Sequence, residues 1–147
     1  MLPDAPGFPA LPSATALRRC LSLIYEALLL FAVLFAGSFA YFAVSRLVPF
    51  ILPRSVFQAY LLLLAAAYFV SQWVRGGQTL PMKTWRIRLV SGDGSTVSSR
   101  QAVIRYIAAI ASWLALGAGY LWAILDKDGQ FLHDRLAGTR LVVAEDN

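Results

Sequence analysis

Three long apolar stretches, separated by short polar ones, set the pattern of the chain. The first runs from about Leu17 to Val44. Its interior is almost entirely Leu, Ala, Phe and Val, interrupted by Ser22, Tyr25, Glu26, Gly37, Ser38 and Tyr41. At about 1.5 Å of rise per residue a helix of this length exceeds the roughly 30 Å of bilayer hydrocarbon, so it is predicted to span with tilt or an interfacial first turn. Arg46 to Arg54 follows, with Pro49 and Pro53 as helix breakers in a short greasy link predicted to lie at the membrane interface. The second helix is predicted from about Ser55 to Val74. Tyr60, Tyr68 and Trp73 stand toward its ends, where amphipathic rings prefer to sit, and Arg75-Gly76-Gly77 stops it.

Residues 75–105 form the polar centre. Trp85-Arg86-Ile87-Arg88-Leu89 alternates apolar and polar and reads as a strand. Ser91-Gly92-Asp93-Gly94 is a turn signal, after which Ser95–Ser98 is expected to return as a second short strand. A third apolar stretch, Tyr106 to Leu125, is long enough to span. Ala108, Ser112, Ala115 and Gly119 would line one face of it as a small-residue stripe for close helix packing. Gly117-Ala118-Gly119 would equally break it into a hairpin. In the tail, Arg140 to Val143 reads as another short strand.

Composition turns this pattern into a class. Hydrophobic residues make up 59% of the chain and charged ones only 14%, against about 25% charged in ordinary soluble proteins. With a mean hydropathy of +0.62, a soluble fold would expose large apolar patches. The expectation is an all-α membrane protein with three hydrophobic helical segments, the third spanning or re-entrant, and short strands in the central loop and tail. Residues 1–16, with Pro3, Pro6, Pro9 and Pro12, read as a flexible arm; 17–143 form the membrane domain; 144–147 are a polar tail. Arg18-Arg19 before an apolar run superficially resembles an export signal, but the run outlasts the roughly 7–15 residues of a signal core, so cleavage is not expected.

The net charge of +5 follows the same pattern, because the basic residues flank the apolar runs. With three full spans they divide eight against five, with the N-terminus on the richer side. With a re-entrant third segment they divide eleven against two, since Lys127, Arg135 and Arg140 join that side. Both arrangements put the N-terminus and central loop in the cytoplasm. The re-entrant one would also let the Arg140–Val143 strand pair with Trp85–Val90, leaving no lone strand. Nucleic acid is not an expected partner, because no basic stripe or recognition motif is present.

Candidate chemistry is sparse. Glu26 lies inside an apolar helix, where a charged group is expensive and needs a partner, water or a bound ion. Arg19, one heptad earlier and about 10 Å away along the axis, is a stretched candidate partner, and Arg105 is another. Glu26 is read either as a proton- or cation-binding carboxylate or as half of a structural ion pair. His133-Asp134-Arg135 is read either as a group titrating near neutrality or as an interfacial hydrogen-bond cluster. Lys83, Arg86, Arg88 and Arg100 are candidates for anionic lipid headgroups, or simply topology signals. One cysteine, Cys20, and one histidine argue against a transition-metal site. No nucleophile has a base at usable spacing, so neither an enzyme nor a cofactor is expected.

These residues also carry a resemblance. Arg18-Arg19-Cys20-Leu21-Ser22-Leu23-Ile24-Tyr25-Glu26 resembles the opening of RDD-family membrane proteins, which have arginine at the head of the first helix and aspartate seven residues on. Gly77-Gln78-Thr79-Leu80-Pro81-Met82-Lys83 through Val90 resembles their central loop and strand. Arg105-Tyr106 resembles the start of their last segment, and Leu132-His133-Asp134-Arg135-Leu136-Ala137-Gly138-Thr139 their closing motif. Arg19 and Asp134 carry over directly. Glu26 replaces the family aspartate, keeping the charge with one more methylene of reach, and Pro81 stands where glycine is common. The resemblance, over residues 16–143, implies a bacterial inner-membrane protein. Transport of unidentified ligands has been proposed for the family, and some members resemble cation/proton antiporters. Two functions follow as expectations. One is monovalent cation/proton exchange by Glu26 with Arg19, Asp134 and His133, a homo-oligomer completing the pathway. The other is a non-transporting accessory protein that assists a partner complex or binds anionic lipid.

Overall fold

The two longest apolar stretches become two long antiparallel helices in the computed structural model, which describes residues 12–47, 53–115, 117–127 and 129–144. Helix α1 spans Ala16–Ser45, started by Thr15, whose hydroxyl accepts from the Arg18 N–H. Helix α2 spans Arg54–Gly76 and ends at Gly77 in the left-handed conformation. Both are long and apolar enough to cross a membrane, with mean hydropathies of 2.3 and 1.4 over their richest windows. Their outward faces carry Phe31, Phe35, Phe39, Leu62 and Leu63, all exposed, as a lipid-facing surface requires. The two helices approach closely at Gly37. A side chain there would collide with Leu64, and the Gly37 carbonyl accepts a hydrogen bond from the Tyr60 hydroxyl at 3.1 Å.

The link at Pro49 lies within residues 48–52, outside the described residues. Past Gly77, Thr79 caps a five-residue helix, α3 (Leu80–Thr84), which periodicity had not suggested. Strand β1 (Ile87–Ser91) begins two residues after Trp85, which caps α3, and its burial alternates only through Leu89, Val90 and Ser91 both being buried. Ser95–Ser98 is not a strand. Ser98 instead caps helix α4 (Ser99–Leu114), its hydroxyl accepting from Gln101 N–H while the Gln101 side chain reaches back to Ser98 N–H. The third segment therefore begins seven residues before Tyr106 and takes Arg105 inside it.

This segment does not run straight. Helix α4 and helix α5 (Ala118–Leu125) meet at 99°. Gly117, at φ 78°, makes the bend, since a left-handed residue cannot continue a helix. Gly119 then packs on Ser112 so closely that a side chain at 119 would strike the serine. The small residues thus serve a contact across the bend, which corrects the continuous stripe expected along one helix.

After α5 the chain returns through helix α6 (Leu132–Ala137) to strand β2 (Thr139–Val143). β2 pairs antiparallel with β1, Ile87 opposite Val143 and Ser91 opposite Thr139. On the far edge of β2, Ser13 bridges Val142 and the Ala14 N–H donates to the Leu141 carbonyl. The start of α1, the end of α2, the central loop and the tail therefore meet in one cap. Ile87, Leu89 and Val142 are among its largest fully buried side chains, and Ile87 and Leu89 pack with Trp73, Met82 and Phe131. Of the two arrangements open in the sequence, the fold takes the one in which the third segment leaves this cap and comes back to it.

Candidate functional site

A cavity of about 500 Å³ opens between α1, α2 and α4 just inside the cap. Arg19, Glu26, Arg105 and His133 line it toward the cap, and Leu30, Leu34, Leu61 and Ile110 farther in. It is mostly apolar with a few converging polar groups, the usual build of a ligand or ion site.

Glu26 stands on the α1 wall, held by two neutral hydroxyls. The Tyr68 hydroxyl, on α2, donates to Oε1 at 3.1 Å. The Thr79 hydroxyl donates to Oε2 at 2.5 Å. Thr79 is fully buried, and the same hydroxyl accepts from the Met82 N–H to cap α3. The residue that starts α3 thus also fixes the carboxylate. Among the described residues Glu26 makes no salt bridge. Arg105 attracts it only from beyond contact distance.

Arg19 does not pair with Glu26. It is buried, and its Nη1 donates to the Gly129 carbonyl, tying the head of α1 to the tail. Arg105 does not contact Glu26 either. Its Nε donates to Asp134 Oδ1 at 2.7 Å, and its guanidinium lies 4.2 Å above the Trp73 ring. Asp134 is 1% exposed, so this is a buried ion pair joining α4 to α6, with the arginine also stacked against α2.

His133 lies beside this pair without joining it. Its Nε2 is 3.8 Å from Asp134 Oδ1, beyond hydrogen-bond range, and its ring stacks on Phe131 at 17° and tilts against Tyr120. Burial, with help from the Arg105 charge and against the pull of Asp134, lowers the His133 pKa to about 4. The imidazole is therefore neutral at pH 7, which of the two readings of this motif favours the structural one.

The remaining motif residues build the cap. Gln78 donates to the Ile87 carbonyl at 2.8 Å. Arg135 pairs with Asp126 at 2.6 Å and closes the turn after α5. Gly138 ends α6 in the left-handed conformation, and the buried Thr139 donates to the Asp134 carbonyl. Lys83, Arg86, Arg88 and Arg100 are exposed on the cap surface, away from the cavity lining. Among the described residues no group of His, Cys, Asp and Glu is placed to hold a metal ion. Sequence reasoning missed Tyr68 as a partner of Glu26 and Trp73 as the platform for Arg105. Both had been read only as interfacial aromatics.

A family model described as RDD family matches residues 13–138. No curated protein and no solved structure matches the chain.

Proposed function

The chain belongs to the RDD family of membrane proteins, and from that premise we propose that it exchanges a monovalent cation for a proton, with Glu26 as the carrier. The observation that supports this reading is the pairing of Glu26 with Tyr68 and Thr79 alone. A carboxylate at an apolar cavity, held by neutral donors, needs either a proton or a small cation to balance it. Both hydroxyls also have lone pairs, so they offer oxygen ligands to a cation that displaces the proton. Arg105, Asp134 and Arg19 act as the frame, which leaves Glu26 without a contacting cation among the described residues. The reading is non-enzymatic and places the chain in a bacterial inner membrane. The cap, with eleven of the thirteen basic residues by the re-entrant count, then faces the cytoplasm.

The test is reconstitution into liposomes with a trapped pH dye, pulsed with sodium, potassium or lithium. Exchange gives a cation-driven pH change that Glu26→Gln removes while the protein stays folded. A flat response from folded wild type favours an accessory membrane protein instead. The buried Arg105–Asp134 pair and the tie from Arg19 to Gly129 support that second reading, since both are structural contacts.

A further inference from the structure

We propose that the cavity between α1, α2 and α4 is a binding site for a single-chain amphiphile with an anionic oxygen-bearing head, a long-chain carboxylate being the simplest example. The inference stands on the cavity itself and does not depend on exchange at Glu26.

The polar lining of the cavity starts at the cap and reaches in as far as Glu26. Toward the cap, Arg19 and His133 line it, and both are more than nine-tenths buried. Among the described residues the Nε of Arg19 and the Nδ1 of His133 have no hydrogen-bond partner. A guanidinium is donor-only, and an unsatisfied donor at such depth is unfavourable unless something accepts from it. Among the described residues the Arg19 side chain donates to one backbone carbonyl, and Asp134 and Asp126 attract it only through space. Arg105, also lining the cavity, already has its charge balanced by Asp134. The group still to be satisfied is thus a positive donor, which an anionic oxygen matches.

Farther in, the lining is apolar: Leu30, Leu34, Leu61 and Ile110, with the largely exposed Trp113 and Leu114 beside them. From Arg19 to Leu34 the α1 wall extends for about 22 Å. Over that depth, 500 Å³ is space enough for one alkyl chain. Glu26 lies about 10 Å along α1 from Arg19, so the head and the glutamate do not crowd each other. A carboxylate at Arg19 leaves its tail among the leucines, which are as apolar as the bilayer the tail comes from, so selectivity rests on the head.

The experiment is photolabelling of the protein, reconstituted in phosphatidylcholine nanodiscs, with a diazirine-bearing sixteen-carbon fatty acid. The expected result is saturable labelling at Leu30, Leu34, Ile110 and Trp113. Palmitate should displace the label at a concentration at least tenfold below that of methyl palmitate, whose head is neutral. Ala109→Phe, which fills the lining, should cut labelling about tenfold without lowering the melting temperature. Should that variant unfold, the comparison of acid with ester still decides. Non-saturable labelling spread over the outward Phe31, Phe35 and Phe39 would overturn the proposal, as the probe would then report bulk bilayer. Equal competition by acid and ester would overturn it too, because Arg19 would not be recognising an anion.

Discussion

The hydroxyl of Thr79 donates to Oε2 of Glu26 at 2.5 Å, across 53 residues of sequence, while it caps the helix that its own residue begins. One atom therefore couples the start of α3 to the membrane helix α1. Thr79→Val keeps the shape and removes both roles. The loss of a cap and of a hydrogen bond to a carboxylate sums to roughly 2–4 kcal/mol. Thr79→Ser, which keeps the hydroxyl, is expected to recover most of it. Thermal melts of the three proteins in one detergent check this; a valine variant as stable as wild type would mean that Glu26 does not depend on the bond.

The buried Arg105–Asp134 pair joins α4 to α6 and should show the asymmetry of such pairs. Removing one member leaves a buried charge without a partner and costs about 3–5 kcal/mol. Arg105→Met and Asp134→Leu are each expected to destabilise by that order. The double variant is expected to be more stable than either single one. A double-mutant cycle on melting free energies gives the coupling directly, and strict additivity would refute a paired interaction.

His133 sets a pH dependence whose sign follows from its depressed pKa. The folded protein holds it near 4, against an ordinary 6.5. Between these values the unfolded chain binds a proton that the folded chain refuses. Stability is thus complete above about pH 6.5 and falls as pH drops toward 4, by about 1.4 kcal/mol per pH unit from this group. His133→Phe keeps a ring against Phe131 and Tyr120 and cannot be protonated. Its melting temperature should therefore fall less than wild type's between pH 6.5 and 4.5. Parallel curves for the two proteins would show that the histidine is already charged in the fold.

How far the sequence foretold this arrangement differs from element to element, for physical reasons. The two spanning helices were legible because apolar runs of their length have few other fates. β1 was legible from alternation, and the bend in the third segment from Gly117. The five and six residues of α3 and α6 are too short to show periodicity, and only their caps, Thr79 and Gly138, mark them. Ser95–Ser98 was misread because a short polar run after a turn suits a returning strand as well as a helix cap, and the deciding residue, Gln101, lies beyond it. Glu26 stood out as an expense within α1, yet its partners lie 42 and 53 residues away, and no spacing rule reaches that far.

Gly119 provides a test of the bend itself. It packs on Ser112, whose hydroxyl is held by the Ala108 carbonyl at 2.8 Å and so has little freedom to move aside. Gly119→Val should force α5 off α4 and destabilise by about 1–3 kcal/mol, as overpacking generally does. Gly119→Val combined with Ser112→Gly should recover part of the loss. Melting curves that show no recovery would mean that the two residues are not in contact.

The pairing of β1 with β2 decides which face of the membrane the tail occupies relative to the central loop. Arg88 lies opposite Val142 in the register. Directly opposed residues of antiparallel strands have Cα atoms about 4.5–5.5 Å apart, within the range a disulfide spans. With Cys20 replaced by serine, Arg88→Cys and Val142→Cys should therefore cross-link under mild oxidation in intact membranes. Arg54→Cys with Val142→Cys should not, because Arg54 opens α2 at the end remote from Gly77 and the cap. A straight third span would carry the tail to the side of Arg54 and leave the first pair unlinked, whatever the oxidant. The cross-link thus separates the folded-back segment from a third full crossing without reference to transport, and it can be read by the mobility of the oxidised chain on a gel.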